Sequence, residues 1–259
     1  MNQIDLNDVR EFVENNIQKF HDSRLENLER TDLKGLIRKK NPYLFKAKNI
    51  ETAQELIESL LNAKLSSSEE EIIGAFLEEL AIFVATRTLN AHKSAAHGID
   101  LEYQMNGTHY LVSIKSGENW GNSSQWKALE ADFATALKIL GQSRQGRNAK
   151  CYLGISYGKT KPTLKRGIIH QVSGQTFWYM ISGQKNFYKD IVKPIGYKAR
   201  EHNEAFNEKK GKLINKLTRQ FTNVFCDKEG KILWNKIVEF NSGNLESDVT
   251  LSQWLKSSK

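Results

Sequence analysis

The sequence predicts an α/β fold, and three local patterns support this class. Asn106 and Gly107 lie between two runs of strand-type residues, and an Asn-Gly pair in this position is a strong signal for a two-residue β-hairpin. Apolar residues recur every three or four positions over residues 5–29, which is the period of an amphipathic helix. Residues 149–157 form a short apolar run that is typical of a buried central strand.

Further elements follow from capping patterns, periodicity and proline. The stretches 52–55 and 68–71 both match the capping box that begins a helix. Pro194 should separate two helices, because proline lacks the amide hydrogen that a helix interior needs. The predicted helices are 5–29, 32–40, one from 52, 68–89, 123–140, 175–181, 187–192, 195–225, 231–240 and 249–255, and the predicted strands outside the hairpin are 149–157 and 164–171.

The predicted turn also sets the pairing of the hairpin. The residue pairs that should face each other are Gln104 with His109, Glu102 with Leu111, and Asp100 with Ser113. Side chains alternate between the two faces of a strand, so one face carries the polar residues Asp100, Glu102, Ser113 and Lys115. The other face is expected to pack on the core and carries Ile99, Leu101, Tyr103, Tyr110, Val112 and Ile114.

Charged residues on a sheet face are often only solvated, but the segment after Lys115 favours another interpretation. Residues 116–125 are small and polar, and two glycines among them permit a close approach of the backbone. A helix with a Ser or Asn cap should follow. An acidic residue, a hairpin, a lysine at the strand end and a glycine-containing loop together form the layout of a metal-dependent phosphodiesterase site.

Four stretches resemble the PmeII-type type II restriction endonucleases of the PD-(D/E)XK nuclease superfamily. They are 41–48 (NPYLFKAK), 98–102 (GIDLE), 114–117 (IKSG) and 119–125 (NWGNSSQ). The resemblance implies a restriction-endonuclease-like core with a mixed sheet flanked by helices, helical N- and C-terminal additions, and Mg²⁺-dependent cleavage of double-stranded DNA. The sequence departs from the pattern at Ser113, where the superfamily has Asp or Glu two residues before the lysine.

Asp100 and Lys115 are the residues to which the hairpin register and the resemblance both assign the chemistry. Magnesium prefers oxygen ligands and retains several waters, so Asp100, one further acid and a substrate phosphate would suffice as ligands. Lys115 can orient the attacking water and stabilise the charge that develops at phosphorus. Ser113 is too weak a ligand to replace a carboxylate, and we expect it to hydrogen-bond a water at this site.

The second metal-binding acid is left open between three glutamates. Glu130 lies on the helix after the hairpin and is slightly preferred, because superfamily members with Ser at the strand position take an acid from about there. Glu78 lies among apolar residues on the helix before the hairpin. Glu102 shares the polar face but lies one pleat further from Lys115. Glu118, in the loop, is expected to be solvated.

Polar residues after Lys115 are the first group predicted to contact DNA. A helix N-terminus and short polar side chains can reach phosphates or bases, although the same residues would also suit a simple turn and cap. The predicted contacts in this group are Asn119, Trp120, Asn122, Ser123, Ser124 and Gln125.

Basic residues form the second predicted DNA-contacting group. The span from Phe133 to Lys189 contains no Asp or Glu, although the chain has 30 acidic residues in 259. A large region of one charge sign indicates a polyanionic partner, for which nucleic acid is the usual candidate. The basic residues of the span are Lys138, Arg144, Arg147, Lys150, Lys159, Lys161, Lys165, Arg166, Lys185 and Lys189, and the predicted DNA contacts among them are Lys159, Lys161, Lys165 and Arg166.

Composition narrows the remaining choices. The net charge is +8, no apolar run is long enough to span a membrane, and the N-terminus lacks the pattern of a signal peptide. The two cysteines and six histidines have no zinc-ligand spacing, which fits a reduced cytoplasmic compartment. We expect a single nuclease domain over 1–259, with a helical part (1–65), the catalytic core (66–170) and a mainly helical part (171–259).

These observations support one principal hypothesis and two alternatives. The principal hypothesis is a homodimeric, Mg²⁺-dependent type II restriction endonuclease of a restriction-modification system, since cutting two strands of a symmetric site needs two active sites. A structure-specific repair or nicking nuclease is the first alternative. A catalytically decayed DNA-binding module is the second, and Ser113 is the best argument for it.

Overall fold

A computed structural model describes residues 1–142 and 148–244 of the chain. The predicted helix over 249–255 lies outside the described residues. The elements in chain order are α1 (Leu6–Glu29), α2 (Leu33–Arg38), α3 (Pro42–Ala47), α4 (Ala53–Leu89), β1 (His92–Lys93), β2 (Leu101–Met105), β3 (Thr108–Lys115), α5 (Ser123–Gly141), β4 (Ala149–Ile155), β5 (Thr163–Lys165), β6 (Ile169–Ser173), α6 (Gly174–Ser182), α7 (Phe187–Asp190), α8 (Val192–Ile195), α9 (Ala199–Phe225) and α10 (Trp234–Ser242).

The chain divides into two compact units. The first consists of Met1–Ser23 and Glu69–His202 and contains the sheet. The second consists of Arg24–Ser68 together with the chain from Asn203, and it has its own apolar cluster, in which Phe221 and Leu61 are fully buried. The boundaries of these units differ from those predicted at residues 65 and 170, and the single nuclease domain stays a prediction.

The first unit is built on one mixed sheet of six strands. Its order is β1-β2-β3-β4-β6-β5. The pairs β3–β4 and β4–β6 are parallel, and the other pairs are antiparallel. This arrangement, with helices around it, confirms the predicted α/β class with a mixed sheet. The three parallel strands direct their carboxyl ends to the same edge, which is where ligands bind in open α/β sheets.

The hairpin forms in the predicted register. Gln104 pairs with His109 and Glu102 with Leu111 across β2 and β3. Asn106 and Gly107 both have positive φ angles, 51° and 72°, as a two-residue turn of this type requires. The local turn rule is therefore sufficient to place residues 101–105 opposite their partners. The third predicted pair, Asp100 with Ser113, falls before β2, and the Asp100 amide donates to the Val112 carbonyl.

Both faces of the hairpin are covered, which corrects the expected contrast between an apolar and a polar face. Leu101, Val112 and Ile114 pack in one cluster with apolar residues of α1, α4 and α6. Ile99, predicted to share that face, instead packs with Leu111 in a second cluster built on α5. The sheet lies between helices, so a strand near its centre contributes apolar residues to both sides.

Two further predictions about elements are wrong. The capping-box pattern at 68–71 begins no helix, because α4 continues through it from Ala53 to Leu89 and Ser68 Oγ donates to the Leu65 carbonyl 3.0 Å away. The single strand predicted over 164–171 is two strands, β5 and β6. They are joined by a turn in which Arg166 and Gly167 have φ angles of 52° and 76°.

The helices after β6 begin near the predicted positions. Pro194 lies in α8, and the long helix predicted from residue 195 begins at Ala199. None of the helices that the structure describes is long and apolar enough to cross a membrane.

Candidate active site

Asp100 lies just before β2 and is held by the neighbouring strand. Its Oδ2 accepts a hydrogen bond from Ser113 Oγ at 3.2 Å and another from the Ile114 amide. Its own amide donates to the Val112 carbonyl at 2.9 Å. Ser113 is fully buried, so its hydroxyl orients the Asp100 carboxylate from inside the sheet. In residues 1–142 and 148–244, these two side-chain hydrogen bonds both end on Oδ2 and none ends on Oδ1.

Lys115 is the last residue of β3 and lies beside this carboxylate. Its Nζ is 4.0 Å from Asp100 Oδ2, and the side chain remains 29% exposed. The same ammonium lies 5.7 Å from the centroid of the Trp120 ring, within the range of a cation–π interaction. The hairpin end therefore combines a carboxylate and an ammonium group that solvent can still reach.

Glu78 reaches the same place from helix α4. Burial raises the pKa of its carboxyl group, the negative charge of Asp100 raises it further, and the positive charge of Lys115 acts in the opposite direction. One turn earlier, a Cβ added to Gly74 would lie 3.3 Å from the Ser116 side chain, so α4 passes close to the end of β3. Asp100, Ser113 and Lys115 thus lie together, and Glu78 is near enough for the charges of Asp100 and Lys115 to act on its carboxyl group.

Glu102 belongs to a different cluster on the hairpin. Its Oε2 is 2.8 Å from His109 Nε2, and its Oε1 is 3.2 Å from His92 Nε2. Gln104 Nε2 lies 3.3 Å from the other ring nitrogen of His109. Both carboxylate oxygens of Glu102 are thereby occupied within the protein.

Glu130 lies on α5 beside the buried Leu129 and is half-buried. Within the described ranges it forms no hydrogen bond or ion pair with Asp100 or Lys115. A metal-binding role for Glu130 stays a prediction, and the geometry favours Glu78.

Residues 122–125 form the cap of helix α5. Asn122 Oδ1 accepts from the Gln125 amide at 3.0 Å, and Gln125 Oε1 accepts from the Asn122 amide at 2.9 Å. Ser124 Oγ donates to Asn122 Oδ1 at 2.7 Å. This capping box confirms the predicted Asn cap and shows that the simpler interpretation of these residues is at least part of their role. DNA contact by the group, which includes Ser123 and Asn119, stays a prediction.

Glu118 is exposed to solvent, in line with expectation, but it also forms hydrogen bonds that sequence reasoning missed. Its Oε1 accepts hydrogen bonds from the Thr160 amide and hydroxyl and lies 3.2 Å from Ser173 Oγ. The hydrogen bond from the Thr160 hydroxyl is the largest cause that lowers the pKa of Glu118. The partners are more than 40 positions away in sequence, so no local pattern could have identified them.

The predicted basic contacts lie in two neighbouring segments. Lys159 and Lys161 are in the exposed segment after β4, and Lys165 and Arg166 are at the β5–β6 turn. A cleft of about 620 Å³ lies between this turn and the segment after Lys115; its lining residues include Trp120, Trp126, Lys165, Arg166 and Gln171. Two other basic residues of the acid-free span, Arg144 and Arg147, lie outside the described residues.

A mixed sheet that carries a carboxylate and a lysine at the end of a hairpin is typical of the restriction-endonuclease class of proteins. The family model described as "Type II restriction endonuclease EcoO109I" matches residues 7–203. The chain belongs to this family of type II restriction endonucleases. It is therefore by class a site-specific deoxyribonuclease, a hydrolase that binds double-stranded DNA as part of restriction-modification. No curated protein matches the chain.

Proposed function

We propose that this protein is a homodimeric, Mg²⁺-dependent restriction endonuclease that cleaves double-stranded DNA at a specific sequence, with Asp100, Glu78 and Lys115 as its active-site residues. The observation that carries the proposal is the convergence of these three side chains at the carboxyl end of β3. The resemblance of 98–102 and 114–125 to PmeII-type enzymes supports the same assignment and suggests a related specificity.

The carboxylates of Asp100 and Glu78 fit a small divalent cation. Type II restriction endonucleases generally use a divalent metal. Magnesium needs only one or two carboxylates from the protein. Among the described residues, no group of three or more His, Cys, Asp or Glu forms a metal site, which disfavours a cage made entirely of protein ligands. Burial and the charge of Asp100 raise the pKa of Glu78, so its negative charge is disfavoured there unless a cation lies close by.

The residues at the site have separate tasks in phosphodiester hydrolysis. When bound, Mg²⁺ supplies charge neutralisation at the phosphate and acidifies water. Asp100 is fixed through Oδ2 by Ser113 and the Ile114 amide, and among the described residues no hydrogen bond occupies Oδ1, which can bind a cation. Lys115 donates hydrogen bonds to the attacking water or to a phosphate oxygen, and its positive charge stabilises the extra negative charge of the transition state. Glu78 supplies the second carboxylate, because position 113 carries Ser and not an acidic residue.

A helix-borne second acid is consistent with the burial of Ser113. This residue has no exposed surface and lies against Asp100. A carboxylate at position 113 would be buried next to another carboxylate, which strongly disfavours ionisation of both. Glu78 approaches the same cluster from α4 and remains half-exposed, so it can be charged when a cation is present. For these reasons we now place Glu78 ahead of Glu130.

DNA is proposed to approach the carboxyl edge of the sheet. Lys159, Lys161, Lys165 and Arg166 lie on this side, next to the segment that follows Lys115. Positive charges in such a position attract the phosphate backbone and orient it. A symmetric recognition sequence then calls for two copies of the chain related by a twofold axis.

A digest of phage DNA by the purified protein tests the proposal. Discrete fragments that appear only with MgCl₂ are expected. A smear or nicked circles without discrete fragments would support the structure-specific repair nuclease. Binding without any cleavage, in several divalent metals, would support the decayed DNA-binding module. Sedimentation of the protein on a DNA fragment that it cuts should give two chains per site.

A further inference from the structure

Two loops and the end of one strand at the carboxyl edge of the sheet are joined by one acidic side chain. The loops follow β3 and β4, and the strand is β6, which pairs in parallel with β4 and leads directly into α6. Beyond the strands the two loops stay paired, since the Ser156 amide donates to the Lys115 carbonyl at 2.9 Å and the Tyr157 amide to the Ser116 carbonyl at 3.1 Å. Glu118 then connects this pair to the end of β6.

Most of the contacts converge on a single carboxylate oxygen. Glu118 Oε1 accepts from the Thr160 amide at 2.5 Å and from the Thr160 hydroxyl. Ser173 Oγ lies 3.2 Å from Oε1 and 3.1 Å from the Thr160 carbonyl oxygen, so its hydroxyl hydrogen can be donated to either acceptor. Hydrogen bonds to an ionised acceptor are stronger than those between neutral groups. We call the set Glu118, Thr160 and Ser173 the Glu118 clasp.

Two glycines make this close approach possible. Gly158 has a φ of +128°, and a Cβ there would lie 2.1 Å from Glu118 Cγ. Gly174 has a φ of +51°, and a Cβ there would lie 2.2 Å from the Gly158 carbonyl oxygen. A side chain at either position would push the loops apart, so the backbone is built around the clasp.

The clasp lies between two functional segments of the proposed site. Glu118 is three positions after Lys115, and Thr160 lies between Lys159 and Lys161. The loops are otherwise exposed, since Glu118, Lys159 and Lys161 all face solvent. A carboxylate in such a position is unfavourable for DNA attraction, because it lies beside lysines that are predicted to meet phosphate. A role in holding the two loops together accounts for a carboxylate in this position.

We propose that Glu118 is a positioning residue, which ties segment 159–161 to the loop after Lys115 so that phosphate contact by the two lysines sets the position of Lys115. This inference rests on the proposed function of Lys115. In physical terms, the clasp turns two flexible loops into one body, so an interaction at one end restricts the other. Without the clasp, DNA binding by Lys159 and Lys161 would no longer affect cleavage.

The first experiment compares Glu118→Ala with Glu118→Gln under single-turnover conditions. Gln keeps the oxygen that accepts the hydrogen bonds, so Glu118→Gln should cleave within about twofold of wild type, whereas Glu118→Ala should be about tenfold slower. Glu11→Ala, an exposed residue of α1, controls for the loss of one negative charge and should cleave at the wild-type rate. Equal slowing by Ala and Gln would overturn the proposal, because charge and not hydrogen bonding would then matter.

A double-mutant cycle then tests the connection itself. Lys159→Ala with Lys161→Ala should lower the cleavage rate constant in the wild-type background, measured with enough protein to saturate the DNA. In the Glu118→Ala background the same pair should change the rate constant by less than about twofold. Additive effects would overturn the proposal. If Glu118→Ala does not fold, Thr160→Val removes one donor of the clasp with no change of charge and takes its place in the cycle.

Lys115→Ala, assayed in parallel, separates this inference from the proposed function. Cleavage by Lys115→Ala would show that the active site itself is misplaced. An inactive Lys115→Ala, together with Glu118→Ala at the wild-type rate, would contradict only the positioning role of Glu118.

Discussion

Two carboxylates of the hairpin segment, Asp100 and Glu102, have opposite surroundings. Glu102 has both oxygens bonded to imidazole nitrogens of His92 and His109, at 3.2 and 2.8 Å. Asp100 accepts two hydrogen bonds on Oδ2 alone, and its ammonium neighbour is 4.0 Å away. The first cluster is complete within the protein. The second has a carboxylate oxygen and a lysine that can still bind a ligand.

Glu78 increases this difference. It adds a second carboxyl group near Asp100. The pKa of Glu78 is raised, first by burial and then by the negative charge of Asp100. Groups held in unfavourable electrostatic surroundings are more frequent at functional sites than in structural ion pairs. Whether an acid on a sheet face has a functional role is therefore best judged from which of its carboxylate oxygens have no hydrogen-bond partner within the protein.

Substitutions of Asp100 or Lys115 should have the largest effect on the cleavage rate. Asp100→Ala and Lys115→Ala should each slow cleavage by at least about a hundredfold, because each removes a charge that acts directly on the reacting phosphate. DNA affinity should change little, and Asp100→Ala should bind DNA somewhat more tightly because repulsion from phosphate is lost. Lys115→Ala should keep the wild-type melting temperature, whereas Asp100→Ala should melt lower because buried Ser113 and the Ile114 amide lose their acceptor. Cleavage near the wild-type rate by either variant would place the active site elsewhere.

Glu78 and Glu130 provide the next test. Glu78→Ala should slow cleavage at saturating DNA by at least about tenfold, and higher Mg²⁺ should recover part of the rate, because a ligand has been lost. Glu130→Ala should stay within about threefold of wild type. The reverse result, a damaging Glu130→Ala and a mild Glu78→Ala, would assign the second carboxylate to α5.

Charge reversal on the basic segments should test from which side DNA approaches. The log–log dependence of DNA affinity on salt should have a slope of magnitude above about four, and four reversals should lower this magnitude by several units. The residues to be changed to Glu are Lys159, Lys161, Lys165 and Arg166. The control reverses four exposed lysines outside the acid-free span, namely Lys34, Lys216, Lys228 and Lys231. An unchanged slope in the first variant would mean that this surface faces away from DNA.

Disruption of the cluster of Glu102, His92 and His109 should affect stability more than cleavage. Glu102→Ala leaves the buried His109 without its carboxylate, which should lower the free energy of unfolding by about 1–3 kcal/mol. Cleavage measured well below the melting temperature should stay within about threefold of wild type. A variant that keeps its stability and loses activity would move Glu102 into the active site.

The pH dependence of stability gives the smallest expected effect. A carboxyl group whose pKa is raised in the folded state contributes stability below its ordinary value of 4.5 and loses it as pH rises through the raised value. Glu78→Gln cannot ionise, so at neutral pH it should melt above the wild type, and the difference should vanish in acid. Added Mg²⁺ should raise the melting temperature of the wild type more than that of Glu78→Gln. Glu79→Gln, an exposed neighbour, serves as the control.

Local sequence rules predicted the hairpin and the cap of α5 but failed elsewhere. The turn at Asn106–Gly107 depends on two residues only, so its register could be derived from sequence. The pattern at 68–71 looked equally local, but the context of α4 overrides it. The turn at Arg166 and Gly167 was missed because Arg rarely adopts a positive φ, and nothing in its neighbours signals one.

The proposed active-site residues divide in the same way. Asp100, Ser113 and Lys115 lie on one hairpin, so alternation along the strands was enough to bring them together. The choice between Glu78 and Glu130 depends on how two helices pack on opposite faces of the sheet, and a single sequence contains no measure of that packing. Glu118 was missed for a related reason, since its partners belong to other loops.

The burial of Ser113 also bears on how this enzyme can vary during evolution. If the second acid is Glu78 of α4, as proposed, its distance from Asp100 depends on the packing of the helix against the sheet, where Phe76, Leu80 and Val112 meet in one cluster. Interior residues that touch neither metal nor DNA thereby gain influence over metal affinity. Selection for a different cleavage rate could then act through conservative exchanges in the hydrophobic interior, whereas an enzyme with both acids on the strands would be insulated from them.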